Sequence, residues 1–108
     1  MRILLDEWVP RPLKRELTDY KIRTVVEMEW SGKKNGELLR FMNQEGFTIL
    51  LTTDQNLRYQ QNLEQAGVAV VVLVARSNRL PDLVPLIPDV CSVLSTISPG
   101  EVIEVGGS

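Results

Sequence analysis

The chain has 108 residues, 44% hydrophobic and 24% charged, with a formal charge of −2; this bounds it to one ordered domain with a real core. It has no histidine and a single cysteine, Cys91, which excludes Ser-His-Asp and Cys-His nucleophiles, the usual zinc sites and any internal disulfide. No apolar segment approaches the roughly 20 residues that span a bilayer, and Met1-Arg2-Ile3-Leu4-Leu5 meets Asp6 too soon for a secretory signal, so the chain reads as soluble and cytoplasmic, with no membrane partner.

In chain order, Arg2 to Leu5 reads as a first strand that runs into Asp6-Glu7. A helix is expected over 10–18, with Pro10 and Pro12 in its first turn and Val9, Leu13 and Leu17 on one face. Asp19-Tyr20 turns the chain into a second strand, 22–26. Residues 27–34 share no period and read as a loop. There Trp30 either covers the core edge or stacks on a base beside Gly32-Lys33-Lys34.

Asn35 is a suitable N-cap for a helix from Gly36 to Glu45, which ends at Gly46 and buries Leu38, Leu39 and Met42. Phe47-Thr48-Ile49-Leu50-Leu51 is apolar at successive positions, as a strand buried on both faces would be, and it stops at Thr52-Thr53-Asp54. A polar helix is expected over 55–65, then the fully apolar strand 68–74, which ends without an acid. A helix over 81–97 carries Pro81, Pro85 and Pro88, so it runs cleanly only from Pro88. Pro99-Gly100 leads into the alternating edge strand 101–105, and 106–108 is a tail. Cys91 reads as a core residue. The alternation implies an α/β protein: a three-layer α/β/α sandwich around a mostly parallel five-stranded sheet, with right-handed crossovers, as a single domain over 1–105.

Two apolar strands that each end in an acid carry the chemistry. Ligands of open α/β sheets bind beyond the carboxyl ends of the strands, so Asp6 and Asp54 belong to one rim if their strands are adjacent. Turn-forming aspartate is the plainer role for either residue. Glu37 opens the helix that starts at the same rim, where it also gains from the helix dipole. Three clustered carboxylates repel unless a cation neutralises them. Oxygen ligands suit Mg²⁺ or Mn²⁺, and that pairing serves phosphodiester hydrolysis. Glu7, Thr53 and Asn56 are candidates for outer contacts or for orienting a water. Nine of the twelve Lys and Arg residues lie in the first 40 positions, which suits a polyanion as well as it suits solvated helix faces.

These residues resemble compact bacterial PIN-like domains, relatives of the VapC-type toxin ribonucleases. The likeness is carried by Ile3-Leu4-Leu5-Asp6-Glu7 with Pro10, Leu13 and Leu17, by Asn35-Gly36-Glu37-Leu38-Leu39, and by Gly46 through Asp54. It implies a PIN fold and Mg²⁺- or Mn²⁺-dependent endoribonuclease activity. Asp6, Glu37 and Asp54 would be the catalytic and metal-holding acids, and RNA the substrate, held by Arg11, Arg15, Arg40 and Arg58. A small antitoxin and a second copy of the chain are the protein partners it suggests. Relatives place a further acid where Asn56 stands, which offers an oxygen without charge. A non-catalytic PIN-like module that binds RNA or protein is the alternative. A receiver-like phosphoacceptor would need a late lysine, and none follows Lys34.

Overall fold

A computed structural model of the chain describes residues 1–33, 35–54 and 63–107. Five strands, β1 (Arg2–Leu5), β2 (Lys21–Thr24), β3 (Ile49–Thr52), β4 (Ala69–Val74) and β5 (Val102–Gly106), form one sheet in the order β2-β1-β3-β4-β5. Every pairing is parallel, the edge strand β5 included. The central strands are apolar at successive positions because both faces are covered: β3 is buried at all four residues and β4 at its first five. Alternate residues feed two cores. Ile3, Leu5, Ile49, Leu51, Val71 and Leu73 point to the first face. Leu4, Leu50, Val70 and Val72 point to the second.

Each face is closed by amphipathic segments. Leu13 and Leu17, from the 3-10 helix Arg11–Glu16 and the residue after it, cover the first face together with Leu83, Val90 and Leu94 from α3 (Leu80–Leu83) and α4 (Ile87–Leu94). The half-buried Cys91 packs with them, as a core thiol should. Leu38, Leu39 and Met42 of α1 (Asn35–Glu45) and Leu63 of α2 (Leu63–Ala66) cover the second face. The helix expected over 55–65 is described only in α2; Asn56 and Arg58 lie outside the described residues.

Several expected elements are shorter than their patterns. The segment expected as a helix over 10–18 is a 3-10 turn closed by Leu13 N–H to Pro10 O and Leu17 N–H to Lys14 O. With Pro10 and Pro12 lacking amide hydrogens, little remains to propagate an α-helix. The second strand stops at Thr24 because the backbone turns there. Glu27 N–H donates to Thr24 Oγ1 (3.0 Å) and Thr24 N–H donates to Glu27 Oε1 (2.9 Å), the reciprocal pair of a Thr-x-x-Glu capping box. That turn ends at Glu29, which adopts φ 60°. The helix expected over 81–97 is broken into α3, a 3-10 turn (Val84–Leu86) and α4 by its prolines.

The crossovers also depart from expectation. The connection β1 to β2 crosses the first face, while β2 to β3 and β3 to β4 cross the second, so these three share one sense. The β4–β5 connection moves outward as β3–β4 does, yet it crosses the first face, where α3 lies against the first 3-10 helix. Its sense is therefore reversed relative to the usual uniform hand. A six-residue 3-10 helix cannot cover Ala69, Val71, Leu73 and Val105, and the proline-broken segment does. Gly106, expected in the tail, closes β5 instead; a Cβ there would lie 2.3 Å from the Val74 carbonyl oxygen and 3.0 Å from Leu86.

Candidate active site

The chain passes from β1 to β2 and from β3 to β4 toward opposite edges of the sheet, so the carboxyl ends of β1 and β3 form the topological switch point at which open α/β sheets carry their crevice. Asp6 and Asp54 stand at that crevice. The strand ladder continues one residue beyond β1, with Asp6 N–H donating to the Leu51 carbonyl at 3.0 Å. This fixes Asp6 against β3. Thr52, fully buried at the end of β3, joins the two acids through one atom. Its Oγ1 donates to Asp6 Oδ2 at 2.7 Å and accepts from Asp54 N–H at 3.0 Å. Glu7 N–H donates to Asp6 Oδ1 at 2.9 Å.

Burial pushes the Asp6 carboxyl above its ordinary range, the Thr52 and Glu7 hydrogen bonds pull it back, and the charges of Glu7 and Asp54 push it up further. An acid that is partly desolvated and faces like charge gains from a cation. Two carboxylates with room for water are a common Mg²⁺ arrangement, so this donor set fits such an ion. Asp6 and Asp54 would be the residues to hold it.

The other expected site residues are placed differently. Glu37 lies in the first turn of α1 at the same rim, but its carboxylate is exposed and accepts from Lys33 Nζ at 3.1 Å. Among the described residues no group of three potential metal ligands comes together. Glu7 is exposed and Thr53 half-buried beside Asp54. Arg11 and Arg15 are exposed and line a groove of 470 Å³ with Pro12, Lys14, Thr24 and Glu27. Arg40 is exposed on α1, away from that groove.

Trp30 serves the core. It is 8% exposed, edge-on to Phe47 at 5.8 Å between ring centres and tilted over Phe41 at 5.6 Å. Trp8, two residues beyond Asp6, is 59% exposed. Its place outside the Val9, Leu13, Leu17 stripe is the signal of this exposure in the sequence.

The groove has its own electrostatics. Lys14 Nζ donates to both Glu27 carboxylate oxygens at 2.9 and 3.0 Å, and Arg23 approaches Glu27 at 3.8 Å. The Lys14 bond, then the Thr24 amide, hold the Glu27 carboxyl below its usual range. Among the described residues, neither Arg11 nor Arg15 has a polar partner. No helix among the described residues is long and apolar enough to cross a membrane. In comparisons with protein-family models, curated proteins and solved structures, the chain matches none.

Proposed function

We propose that the chain is a PIN-like endoribonuclease dependent on Mg²⁺ or Mn²⁺, with a three-layer α/β/α arrangement, acting as the toxin of a toxin–antitoxin pair. The observation that carries this reading is the coupling of Asp6 and Asp54 through the buried Thr52 hydroxyl at the crevice between β1 and β3. A divalent ion bound there would supply an activated water and a counter-charge for the scissile phosphate. Asp6 and Asp54 hold that ion, Glu7 and Thr53 lie where they can orient a water, and Arg11 and Arg15 neutralise phosphate charge. Glu37 joins by releasing Lys33, an exposed i,i+4 pair whose loss costs only about 0.3–0.5 kcal/mol.

The engagement of Glu37 by Lys33 also favours a second reading, a non-catalytic PIN-like module that binds RNA or protein. Two measurements separate them. In calorimetry, Mn²⁺ binds the wild type and not the Asp6→Asn/Asp54→Asn double variant. In an RNA cleavage assay, Asp6→Asn and Asp54→Asn each lower the metal-dependent rate by about 100-fold or more. Absence of Mn²⁺ binding at millimolar concentration in a folded wild type leaves the second reading.

A further inference from the structure

We propose that single-stranded RNA approaches the acids from the β2 side of the rim, with one base stacked on Trp8 and the phosphate backbone following Arg11 and Arg15 and then the edge strand at Lys21 and Arg23. This rests on RNA being the ligand of the site described above.

Trp8 is the starting point. An indole 59% exposed beside a charged rim offers much of its apolar face to solvent. It stands on the loop between Asp6 and the 3-10 helix, two residues after the acid and three before Arg11. Chain reach alone keeps it within about 7 Å of the first and about 11 Å of the second, measured between Cα atoms. A base stacked there is held next to the acid pair, and only an unpaired base offers its face for stacking.

The cationic path continues from that point. The groove holding Arg11 and Arg15 shares Lys14 with a second groove of 270 Å³ lined by Lys21, Ile22, Arg23 and Arg2. The Arg2 guanidinium is already engaged by the Glu45 carbonyl and lies over the Phe47 ring. Lys21 and Arg23 are exposed, alternating with the buried Ile22 and Thr24 along β2. Among the described residues Glu27 is the one acid lining either groove, beside the shared Lys14, which it occupies. Unpartnered guanidiniums in a groove with a single acid favour a polyanion over an ordinary protein surface.

The test is a fluorescence-anisotropy titration of a labelled oligouridylate of about 12 nucleotides, with EDTA present so that cleavage does not intrude, repeated over a range of salt. Trp8→Ala weakens binding about 5- to 100-fold and Trp8→Tyr restores most of it. Arg11→Gln/Arg15→Gln and Lys21→Gln/Arg23→Gln each flatten the slope of log affinity against log salt by about 1.4. Glu27→Gln keeps an oxygen for the Thr24 amide while freeing Lys14, so it tightens binding and steepens the slope. Wild-type affinity in Trp8→Ala, or unchanged slopes in both double variants, overturns the path. So does a wild type that does not bind the oligouridylate, which would turn Trp8 toward a protein partner. The binding pattern without metal-dependent cleavage removes the nuclease reading and leaves this one; cleavage indifferent to Trp8, Lys21 and Arg23 does the reverse.

Discussion

The two halves of the carboxyl rim are built from the same parallel ladder and end in opposite ways. At β1 and β3 the strands stop in polar groups drawn away from water: Asp6 is half-buried and Thr52 fully buried. At β4 and β5 the rim is closed by backbone, with Gly106 against the Val74 carbonyl and Leu86. One half carries unfavourable charge at the point where the chain switches direction. The other is filled by close packing and has no acid at its strand ends. Asp6 is raised by burial and by its neighbours, so its ionised form disfavours the fold above the ordinary carboxylate range. A rim that carries such a cost depends on a well-packed neighbour.

Substitutions at the two halves should separate stability from chemistry. The largest loss of stability is expected at the closed half. Gly106→Ala places a Cβ 2.3 Å from a carbonyl oxygen at φ +90° and should cost roughly 3 kcal/mol in denaturant unfolding, while cleavage per folded molecule stays near that of the wild type. An unfolding midpoint equal to the wild type would show that β5 does not close the sheet.

At the crevice, Thr52→Val keeps the shape and removes the hydroxyl that joins the acids. It should cost about 1–3 kcal/mol by removing one hydrogen bond from the half-buried Asp6 carboxylate and one from the Asp54 amide, and should weaken Mn²⁺ binding about 10- to 100-fold. Unchanged Mn²⁺ affinity would mean that the hydroxyl does not position the acids.

A smaller effect follows acid. Glu27 has a lowered folded-state pKa, so its contribution is present above the unfolded value of 4.5 and is lost as pH falls through the folded value. Glu27→Gln should therefore narrow the wild-type advantage below about pH 4.5, read as converging melting temperatures. Constant separation down to pH 3 would remove Glu27 from the acid limb.

The smallest effect is a gain. Glu29 holds φ 60°, and Glu29→Gly should stabilise by about 0.5–1 kcal/mol, the left-handed penalty less the glycine entropy. A loss of stability would mean that the Glu29 side chain supports the turn.

Most of the sheet was legible because burial on two faces leaves an unambiguous apolar run, as at Ile49–Leu51 and Val70–Leu73. The acids at strand ends were legible for the same reason: Asp6 and Asp54 interrupt those runs abruptly. What failed was punctuation. Thr24-Val25-Val26 reads as strand by composition, while Thr24 and Glu27 form a capping box whose hydrogen bonds outweigh β-propensity. The reversed β4–β5 crossover could not be read, since it depends on which face lacks cover. The sequence gives Glu37 its place in the first turn of α1, but an ion pair with Lys33 four residues earlier decides where its carboxylate goes.

The two outer strands have a consequence for how copies of the chain meet. Lys21 and Arg23 make the β2 edge cationic, while the exposed Glu101 lies beside β5. Like edges repel. A β2 edge approaching the β5 edge of another copy is attracted, and such a head-to-tail contact need not close on itself. Concentrated protein should therefore be driven toward open-ended chains by low ionic strength and dispersed by added salt, the opposite of ordinary salting-out.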